Sequence, residues 1–273
     1  MSQMSERLRN EVHEVHEQVA ITSAEGPHSK PKLYFELAEW WPLLSPPGLY
    51  AEEAAFYQQQ LLGTCQWPCR TLLELGSGGG NNASHLKKQF DITLLDLSQE
   101  MIAVSRKLNP ECEHHVGDMR HVRLGRTFDC LFIHDAIAYM TSEIDLRRAM
   151  DTAYIHCRPG GAALFAPNFV RETFNSATDH GGSDGPHRSL RYLEWRWDPN
   201  PEDETYVIDY AFLMREEDGT LRVQMDHHVE GLFGRNQWLQ MLTAAGFEAR
   251  SLLLNHSHIE PGTYELFVCT RPR

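Results

Sequence analysis

The segment LLELGSGGGNN, at residues 72–82, constrains the fold of this chain more than any other, because an apolar run passes directly into closely spaced glycines. The apolar run predicts a buried β-strand, and glycines that lead into a helix expose backbone N–H groups toward an anionic ligand. A second apolar run ends in Asp96, twenty residues after Gly76. A carboxylate in that position can accept hydrogen bonds from both hydroxyls of a ribose, so the sequence predicts a nucleotide or nucleoside site.

Short apolar runs alternate with helical patterns over residues 71–168. This alternation predicts parallel strands joined by crossover helices. Strands are expected at residues 72–75, 92–95, 112–116, 128–133 and 162–166. Helices are expected between them, at residues 83–90, 98–109 and 142–156.

The patterning changes after Asn168, where a glycine-rich loop precedes three segments of period-two patterning. The last two flank Asp218-Gly219, a strong hairpin signal, so we expect an antiparallel meander. On its middle strand one face is expected to carry Tyr206, Ile208, Tyr210, Phe212 and Met214. A helix at 236–245 and strands at 247–254 and 264–270 are expected to close the chain.

These patterns predict an α/β fold with a Rossmann-like, seven-stranded, mostly parallel sheet that has helices on both faces. An antiparallel meander is inserted after strand five. The expected divisions are an N-terminal helical cap or lid over 1–62, a cofactor-binding domain over 63–168 and 235–273, and an insert over 169–234 that roofs the substrate pocket. The cap is expected to contain a loosely held helix at 5–20 and two helices at 33–62 separated by the SPPG breaker.

Composition narrows the possible partners of this chain of 273 residues. Its formal net charge is -13 and it has no block of Lys or Arg, which disfavours nucleic acid as a partner. An acidic chain suits a neutral or cationic small molecule better. No segment has the length and apolarity of a membrane span or a signal peptide, so we expect no membrane partner and a cytoplasmic location. A monomer and a homodimer both remain open.

The cysteine and histidine patterns predict no metal site. Of six cysteines, only Cys65 and Cys69 are close in sequence, and no second metal-like pair accompanies them. Ordinary reduced thiols are therefore favoured over a zinc site or a disulfide. The fifteen histidines show no H-E-x-x-H spacing.

The glycine spacing distinguishes between two classes of nucleotide-binding enzyme. The turn contains E-x-G-x-G-x-G, from Glu74 to Gly80. A dinucleotide fingerprint that began at Gly76 would need a small residue at position 81, where the chain has Asn81. The spacing therefore weakens the prediction of a nicotinamide cofactor.

Five segments in order resemble the class I S-adenosylmethionine-dependent methyltransferases: LELGSGGGNNA, LLDLSQEMI, VGDMR, FDCLFIHDAIAYM and CRPGGAALFAPN. The resemblance covers somewhat over half of the chain and implies S-adenosylmethionine as cofactor. In that family the glycine loop passes under the methionine moiety, the strand-two carboxylate binds the ribose, and the acidic residue after strand three binds the adenine. Carried over by position, the implied cofactor-binding residues are Tyr34, Glu74, Gly76, Ser77, Gly78, Gly80, Asp96, Leu97, Met101, Asp118, Met119 and His134.

Methyl transfer is an in-line displacement, so alignment of the acceptor should dominate and a base is needed only for a protonated nucleophile. Ligands of open α/β sheets lie beyond the carboxyl ends of the strands. The candidate catalytic residues are His134, Asp135 and His228. The candidate substrate-binding residues are Trp41, Tyr139, Asn168, Glu194, Arg196, Asp209 and His227.

The segment DHHVEGLFGRNQWLQMLTAAGF is similar to a bacterial subset of the family that acts on amino-sugar nucleotides and simple amines. This similarity favours an amine nitrogen of a small molecule as the methyl acceptor. Three alternatives stay open: O-methylation of a hydroxyl or carboxyl group, a non-catalytic adenosine-binding protein, and an NAD-dependent oxidoreductase. Loss of the candidate bases should be partly rescued at high pH for an amine acceptor, and not for a hydroxyl acceptor.

Overall fold

The computed structural model describes residues 30–273. The helix predicted at 5–20 and the first 29 residues of the predicted cap lie outside this range. Within it, no helix is both long and apolar enough to cross a membrane. In chain order the strands are β1 Thr71–Leu75, β2 Asp91–Asp96, β3 Glu113–Val116, β4 Phe128–Ile133, β5 Cys157–Phe165, β6 Ala177–Gly181, β7 Ser189–Trp197, β8 Thr205–Arg215, β9 Leu221–Gly231, β10 Glu248–Leu253 and β11 Glu265–Thr270.

Six α-helices and four short 3₁₀ turns accompany the strands in the described part of the chain. The helices are α1 Trp41–Leu44, α2 Ala51–Thr64, α3 Asn81–Leu86, α4 Gln99–Leu108, α5 Glu143–His156 and α6 Arg235–Ala244. The 3₁₀ turns are Lys32–Tyr34, Ala38–Trp40, Pro47–Tyr50 and Asp135–Tyr139. Serine hydroxyls cap α4 and α5, because Ser98 and Ser142 each accept a backbone hydrogen bond from the residue three positions on.

The main sheet has seven strands in the order β10-β11-β5-β4-β1-β2-β3. Among these described strands, β11 alone is antiparallel to its neighbours. The predicted fold class is therefore confirmed. Leucines on both faces of β1 are fully buried, with Leu73 in one apolar cluster and Leu72 in the other. The sheet thus has a core on each face, as expected of a parallel sheet covered by helices.

The second sheet is antiparallel, with the order β6-β7-β8-β9. The sequence predicted three strands here, and the expectation of a loop over β6 is wrong. Gly181 explains the difference, because a Cβ atom at this position would meet the ring of Tyr192 on the paired strand. A glycine there lets the backbone approach β7 closely.

The alternation placed Tyr206, Ile208, Tyr210, Phe212 and Met214 on one face of β8 without deciding which face is buried. In the structure this face is the buried one, with Tyr210 half-buried. Leu33, Leu37 and Trp40 pack against the Phe212 end of this face. Residues 30–50, which we call the N-terminal segment, therefore lie on the inner face of the antiparallel sheet.

Two boundaries differ from the predictions. Of the two helices expected at 33–62, the second forms as α2, but the first consists of single turns. Pro42 has no N–H group to continue the Ala38–Trp40 turn into α1. The break expected at Arg158 to Gly161 instead lies inside β5. A shift in the register between β4 and β5 accommodates those residues.

Candidate active site

A cavity of about 430 Å³ lies at the carboxyl ends of β1, β2 and β4, beneath the N-terminal segment. This volume is typical of a small-molecule site. Thirteen of the predicted site residues line it: Tyr34, Trp41, Glu74, Gly76, Ser77, Gly78, Asp96, Leu97, Asp118, Met119, His134, Asp135 and Tyr139. The remaining predicted residues lie elsewhere, as described below.

The glycine turn forms the floor of the cavity. Gly76 has φ of +73° and Gly80 has φ of +76°, a left-handed conformation that favours glycine. A Cβ atom on Gly76 would overlap Ala136, and one on Gly80 would overlap the side chains of Asn109 and Ser105. Gly80 is therefore a structural residue of the turn rather than part of the cavity lining.

Two side chains on this floor have polar atoms that lack a partner. Glu74 is 2% exposed, and neither its Oε2 atom nor the Ser77 hydroxyl has a hydrogen-bond partner within residues 30–273. Burial, together with the carboxylates of Asp96 and Glu53, raises the pKa of Glu74 to about 8. Unpaired buried groups are costly, so both residues fit a ligand that supplies hydrogen-bond donors and acceptors.

Asp96 joins the glycine turn to the end of β2. Its two carboxylate oxygens accept hydrogen bonds from the backbone N–H groups of Gly78, at 2.7 Å, and of Ser98, at 2.8 Å. Burial raises the pKa of Asp96 despite these hydrogen bonds. The carboxylate is thus fixed in orientation and borders the cavity, where the hydroxyls of a ribose could reach it.

The residues predicted to hold the adenine lie at the end of the cavity near β3. Met119 lines it directly, whereas Met101 is fully buried behind the glycine turn. Asp118 also borders the cavity, with both oxygens accepting hydrogen bonds from the guanidinium of Arg120. Arg120 was not predicted, and it orients the carboxylate that the sequence assigned to the adenine.

The two asparagines after the glycines attach the N-terminal segment and α2 to this floor. Asn81 donates a hydrogen bond to the Ser45 carbonyl at 2.9 Å, and Asn82 donates one to Glu53 at 3.1 Å. Trp41 packs over the turn, because a Cβ atom on Gly79 would meet its indole ring. The indole Nε1 atom of Trp41 is buried with no partner in the described chain.

His134 and Asp135 form a polar cluster on one wall. His134 Nε2 lies 3.2 Å from the Tyr57 hydroxyl and 3.5 Å from a Glu53 oxygen. Asp135 lies 3.2 Å from His134 Nδ1 and accepts a hydrogen bond from Tyr264 at 2.9 Å. Glu53, Tyr57 and Tyr264 had no sequence signal, since they come from α2 and from the loop before β11.

A chain of hydrogen bonds leaves the cavity from Tyr139, at the other end of the 3₁₀ turn that begins at Asp135. The Tyr139 hydroxyl donates to the Tyr34 hydroxyl at 3.1 Å and lies 2.7 Å from His228 Nδ1. His228 Nε2 lies 2.9 Å from the Asp226 carboxylate. His228 is only 1% exposed, so it reaches the cavity through Tyr139 and not directly. We call these four residues the tyrosine–histidine chain.

Burial sets the protonation of the groups along this chain. It raises the pKa of Tyr34 and of Tyr139 well above the ordinary value, so both phenols stay protonated. Burial also acts on Asp226, but hydrogen bonding and charge from His228 bring its pKa below the ordinary value. The tyrosine–histidine chain therefore begins at two neutral phenols, Tyr34 and Tyr139, and ends at the ionised carboxylate of Asp226.

Asp226 also holds the N-terminal segment. Its oxygens accept hydrogen bonds from the backbone N–H groups of Lys32, at 3.0 Å, and Leu33, at 2.7 Å. These residues directly precede Tyr34, which lines the cavity. One carboxylate therefore orients His228 and fixes the backbone beside Tyr34.

Three further predicted residues lie on the cavity side of the antiparallel sheet but outside the cavity lining. Asn168 donates to Glu230 at 2.9 Å, and the hydroxyl of Tyr206 donates to the same buried carboxylate. Glu194 and Arg196 lie 3.5 Å apart on β7. Burial raises the pKa of Glu230 and of Glu194.

The structure does not bring Asp209 and His227 to the cavity. They are paired across β8 and β9 at 2.7 Å, and Asp209 also accepts a hydrogen bond from the Trp197 indole. Successive side chains of a strand point to opposite faces. Since Ile208 and His228 are buried on the inner face, Asp209 and His227 lie on the outer one.

Known proteins resemble this chain in sequence. A family model described as a methyltransferase domain matches residues 72–161. The dTDP-3-amino-3,4,6-trideoxy-alpha-D-glucopyranose N,N-dimethyltransferase of Streptomyces venezuelae is 28% identical over 184 residues, which cover 67% of this chain and 77% of that protein. The dTDP-3-amino-3,6-dideoxy-alpha-D-glucopyranose N,N-dimethyltransferase of Streptomyces fradiae is 28% identical over 186 residues, 64% of this chain and 69% of that one.

Solved structures share the fold. DesVI of Streptomyces venezuelae superimposes with a TM-score of 0.72 and 26% identity, covering 82% of this chain and 92% of that one. The sugar N-methyltransferase KedS8 of Streptoalloteichus sp. ATCC 53650 gives a TM-score of 0.73 and 25% identity, with coverage of 82% and 88%.

Proposed function

We propose that this chain, which belongs to the class I S-adenosylmethionine-dependent methyltransferases, methylates the nitrogen of a small-molecule amine. The predicted family and its cofactor are confirmed, which removes the nicotinamide-dependent oxidoreductase from consideration. The bound cofactor supplies an electrophilic methyl group on a sulfonium sulfur. Glu74, Ser77 and Asp96 are the residues proposed to hold it. Glu74 and Ser77 have unpaired polar atoms beside the glycine turn, and the Asp96 carboxylate is oriented by the Gly78 N–H group.

The tyrosine–histidine chain is the observation that carries the proposal. Amine attack requires a free electron pair, so a proton must leave the acceptor or the methylated product. A proton accepted by the Tyr34 oxygen can displace the phenol proton to Tyr139, whose own proton passes to His228 Nδ1. The resulting imidazolium is stabilised by Asp226. After such a transfer the Tyr139 hydroxyl would donate its hydrogen bond to the Tyr34 oxygen, and this is the direction that the structure has.

Charge around the cavity also favours an amine. Asp135 is on its lining and a Glu53 oxygen lies 3.5 Å from His134, so the wall formed by His134 and Asp135 carries carboxylates. An ammonium group entering the cavity would be attracted to this wall and could be oriented by Asp135. Asp135 and His134 are therefore proposed to position the acceptor, while the tyrosine–histidine chain accepts the proton.

We further propose that the acceptor is an amino sugar, free or linked to a nucleotide. The two relatives in sequence are named for dTDP-linked amino sugars. Tyr34, Tyr50 and Tyr139 line the cavity and offer both aromatic faces and hydroxyls to a sugar ring. In this proposal residues 30–62 serve as the lid, and the antiparallel sheet forms the roof behind it.

The proposal is tested by mass spectrometry of reactions with S-adenosylmethionine and matched acceptors, each amino sugar beside the sugar with a hydroxyl at the same carbon. We expect methylation of the amino sugars only. The variant Tyr139→Phe keeps the ring but breaks the proton path, so kcat should fall about 100-fold or more. Raising the pH should restore part of this loss, because more of the amine is then unprotonated.

Tyr154→Phe is the matched control. Tyr154 packs against Phe247 and Arg271, in the core on the far side of the sheet from α2. Its substitution should leave kcat unchanged, and both variants should bind S-adenosylhomocysteine like the parent. Methylation of hydroxyl sugars, or full activity of Tyr139→Phe at every pH, would show that the acceptor class or the proton path is wrong.

A further inference from the structure

Three cysteine thiols meet near the amino ends of β1 and β4, at the sheet edge opposite to the cavity. Cys65 follows α2, Cys69 precedes β1 and Cys130 lies on β4. Their Sγ atoms all lie within 4.8 Å of one another. None of the six cysteines of the chain, all of which lie within residues 30–273, forms a disulfide. The sequence offered only the pair at 65 and 69, because the third thiol is sixty-one residues further along.

The surroundings of the cluster suit a bound cation. Cys69 and Cys130 are buried and Cys65 is partly exposed, so an ion could enter from the Cys65 side.

Fixed charges near the cluster are balanced. The Asp129 carboxylate lies beside it in sequence and forms an ion pair with Arg158. The Arg158 guanidinium also stacks on Trp67, 4.3 Å from the ring centroid, and Trp67 is midway between Cys65 and Cys69. The positive charge of Arg158 therefore offsets the repulsion that the Asp129 carboxylate would exert on thiolates in the cluster.

We propose that Cys65, Cys69 and Cys130 bind one Zn²⁺ ion, with the fourth coordination position open to water on the Cys65 side. Thiolates are the soft ligands that zinc accepts in tetrahedral sites. Bonds of about 2.3 Å at tetrahedral angles place sulfurs about 3.8 Å apart, so the thiols need to approach by only about 1 Å. The ion would tie the α2–β1 connection to the middle of the sheet, and this role is independent of methyl transfer.

The test uses the full-length chain, reduced and then freed of metal by a chelator, with Co²⁺ as the spectroscopic probe. Binding should give thiolate-to-cobalt charge-transfer bands and the visible bands of tetrahedral Co²⁺, with a stoichiometry of one. Added Zn²⁺ should displace the cobalt and raise the unfolding midpoint of the metal-free chain. Cys65→Ser should weaken cobalt binding by at least about 100-fold.

Cys112→Ser and Cys269→Ala are the matched controls, since both thiols lie outside the cluster. They should keep the cobalt spectrum. Cys130→Ala should lose the spectrum, and S-adenosylhomocysteine binding at the opposite edge shows whether this buried variant is folded. The proposal is overturned by a parent chain without charge-transfer bands, or by bands that survive in Cys65→Ser or disappear equally in the controls.

Discussion

Substitution of Glu74 by Gln should remove a pH-dependent loss of stability. Glu74 is buried beneath the glycine turn with one oxygen unpaired in the described structure, and its pKa is raised from 4.5 to about 8. The native state therefore binds a proton more tightly than the unfolded chain between these two values. The free energy of unfolding must then decrease as the pH rises from about 4.5 to about 8.

The size of the effect follows from the two pKa values. Their difference, at about 1.4 kcal/mol for each pH unit, gives about 5 kcal/mol as the largest cost of an ionised Glu74 above pH 8. Water that enters the cavity reduces this cost, so we expect Glu74→Gln to be more stable than the parent by about 2 to 5 kcal/mol at pH 8.5. The two chains should become nearly equal in stability at pH 5.

Urea unfolding followed by circular dichroism, from pH 5 to pH 9, measures this difference directly. Other titrating groups are the same in both chains, so their contributions cancel. The exposed Glu36 provides the control, and Glu36→Gln should follow the parent at every pH. The same Glu74→Gln variant should bind S-adenosylhomocysteine about 10- to 100-fold more weakly, because the amide has one acceptor oxygen where the carboxyl group has two. Stability curves for Glu74→Gln and the parent that stay parallel over the whole pH range would refute the reasoning.

Two other carboxylates support further predictions. Asp226→Ala removes the carboxylate that accepts hydrogen bonds from the Leu33 N–H group and from His228. Hydrogen exchange at residues 32–40 should therefore become faster, while exchange in β1 is unchanged. Equal protection of residues 32–40 in the variant and the parent would contradict the anchoring role. Asp129→Ala removes the acceptor of the Arg70 and Thr71 N–H groups and leaves Arg158 without its partner. It should destabilise the chain by about 2 to 4 kcal/mol in urea unfolding, and a change below 0.5 kcal/mol would refute it. Although burial acts to raise it, hydrogen bonding keeps the pKa of Asp129 below its ordinary value, so this contribution should be lost as the pH falls below about 4.

The local pattern of apolar and polar residues was sufficient to predict most of the fold. The alternation of apolar runs with helical spacing predicted the main sheet. The period-two pattern of β8 grouped the residues that share a face, without deciding which face is buried. The strand β6 was missed because its glycine-rich sequence resembles a loop, and only packing against Tyr192 makes it a strand. Propensity does not contain that information, since the partner ring is on another strand.

Some residues of the candidate site could likewise be predicted from local sequence, and others could not. The glycine turn and Asp96 could be predicted because their spacing within one strand–turn–helix unit fixes their geometry. Tyr264 and Cys130 could not, since each meets its partners through strands that are distant in sequence. Alternation alone also could not decide between His227 and His228, as neighbouring residues on β9 point to opposite faces.

The double attachment of Asp226 has a consequence for the order of events during turnover. An acceptor that enters or leaves past the N-terminal segment requires residues 32–34 to move. That movement breaks the hydrogen bonds from the backbone N–H groups of Lys32 and Leu33 to Asp226 and displaces Tyr34. The site is then open but has lost the first member of the proposed proton path. With the proposed path, each cycle breaks and re-forms the acid–base groups, so a proton can be accepted only while the site is closed around its substrates.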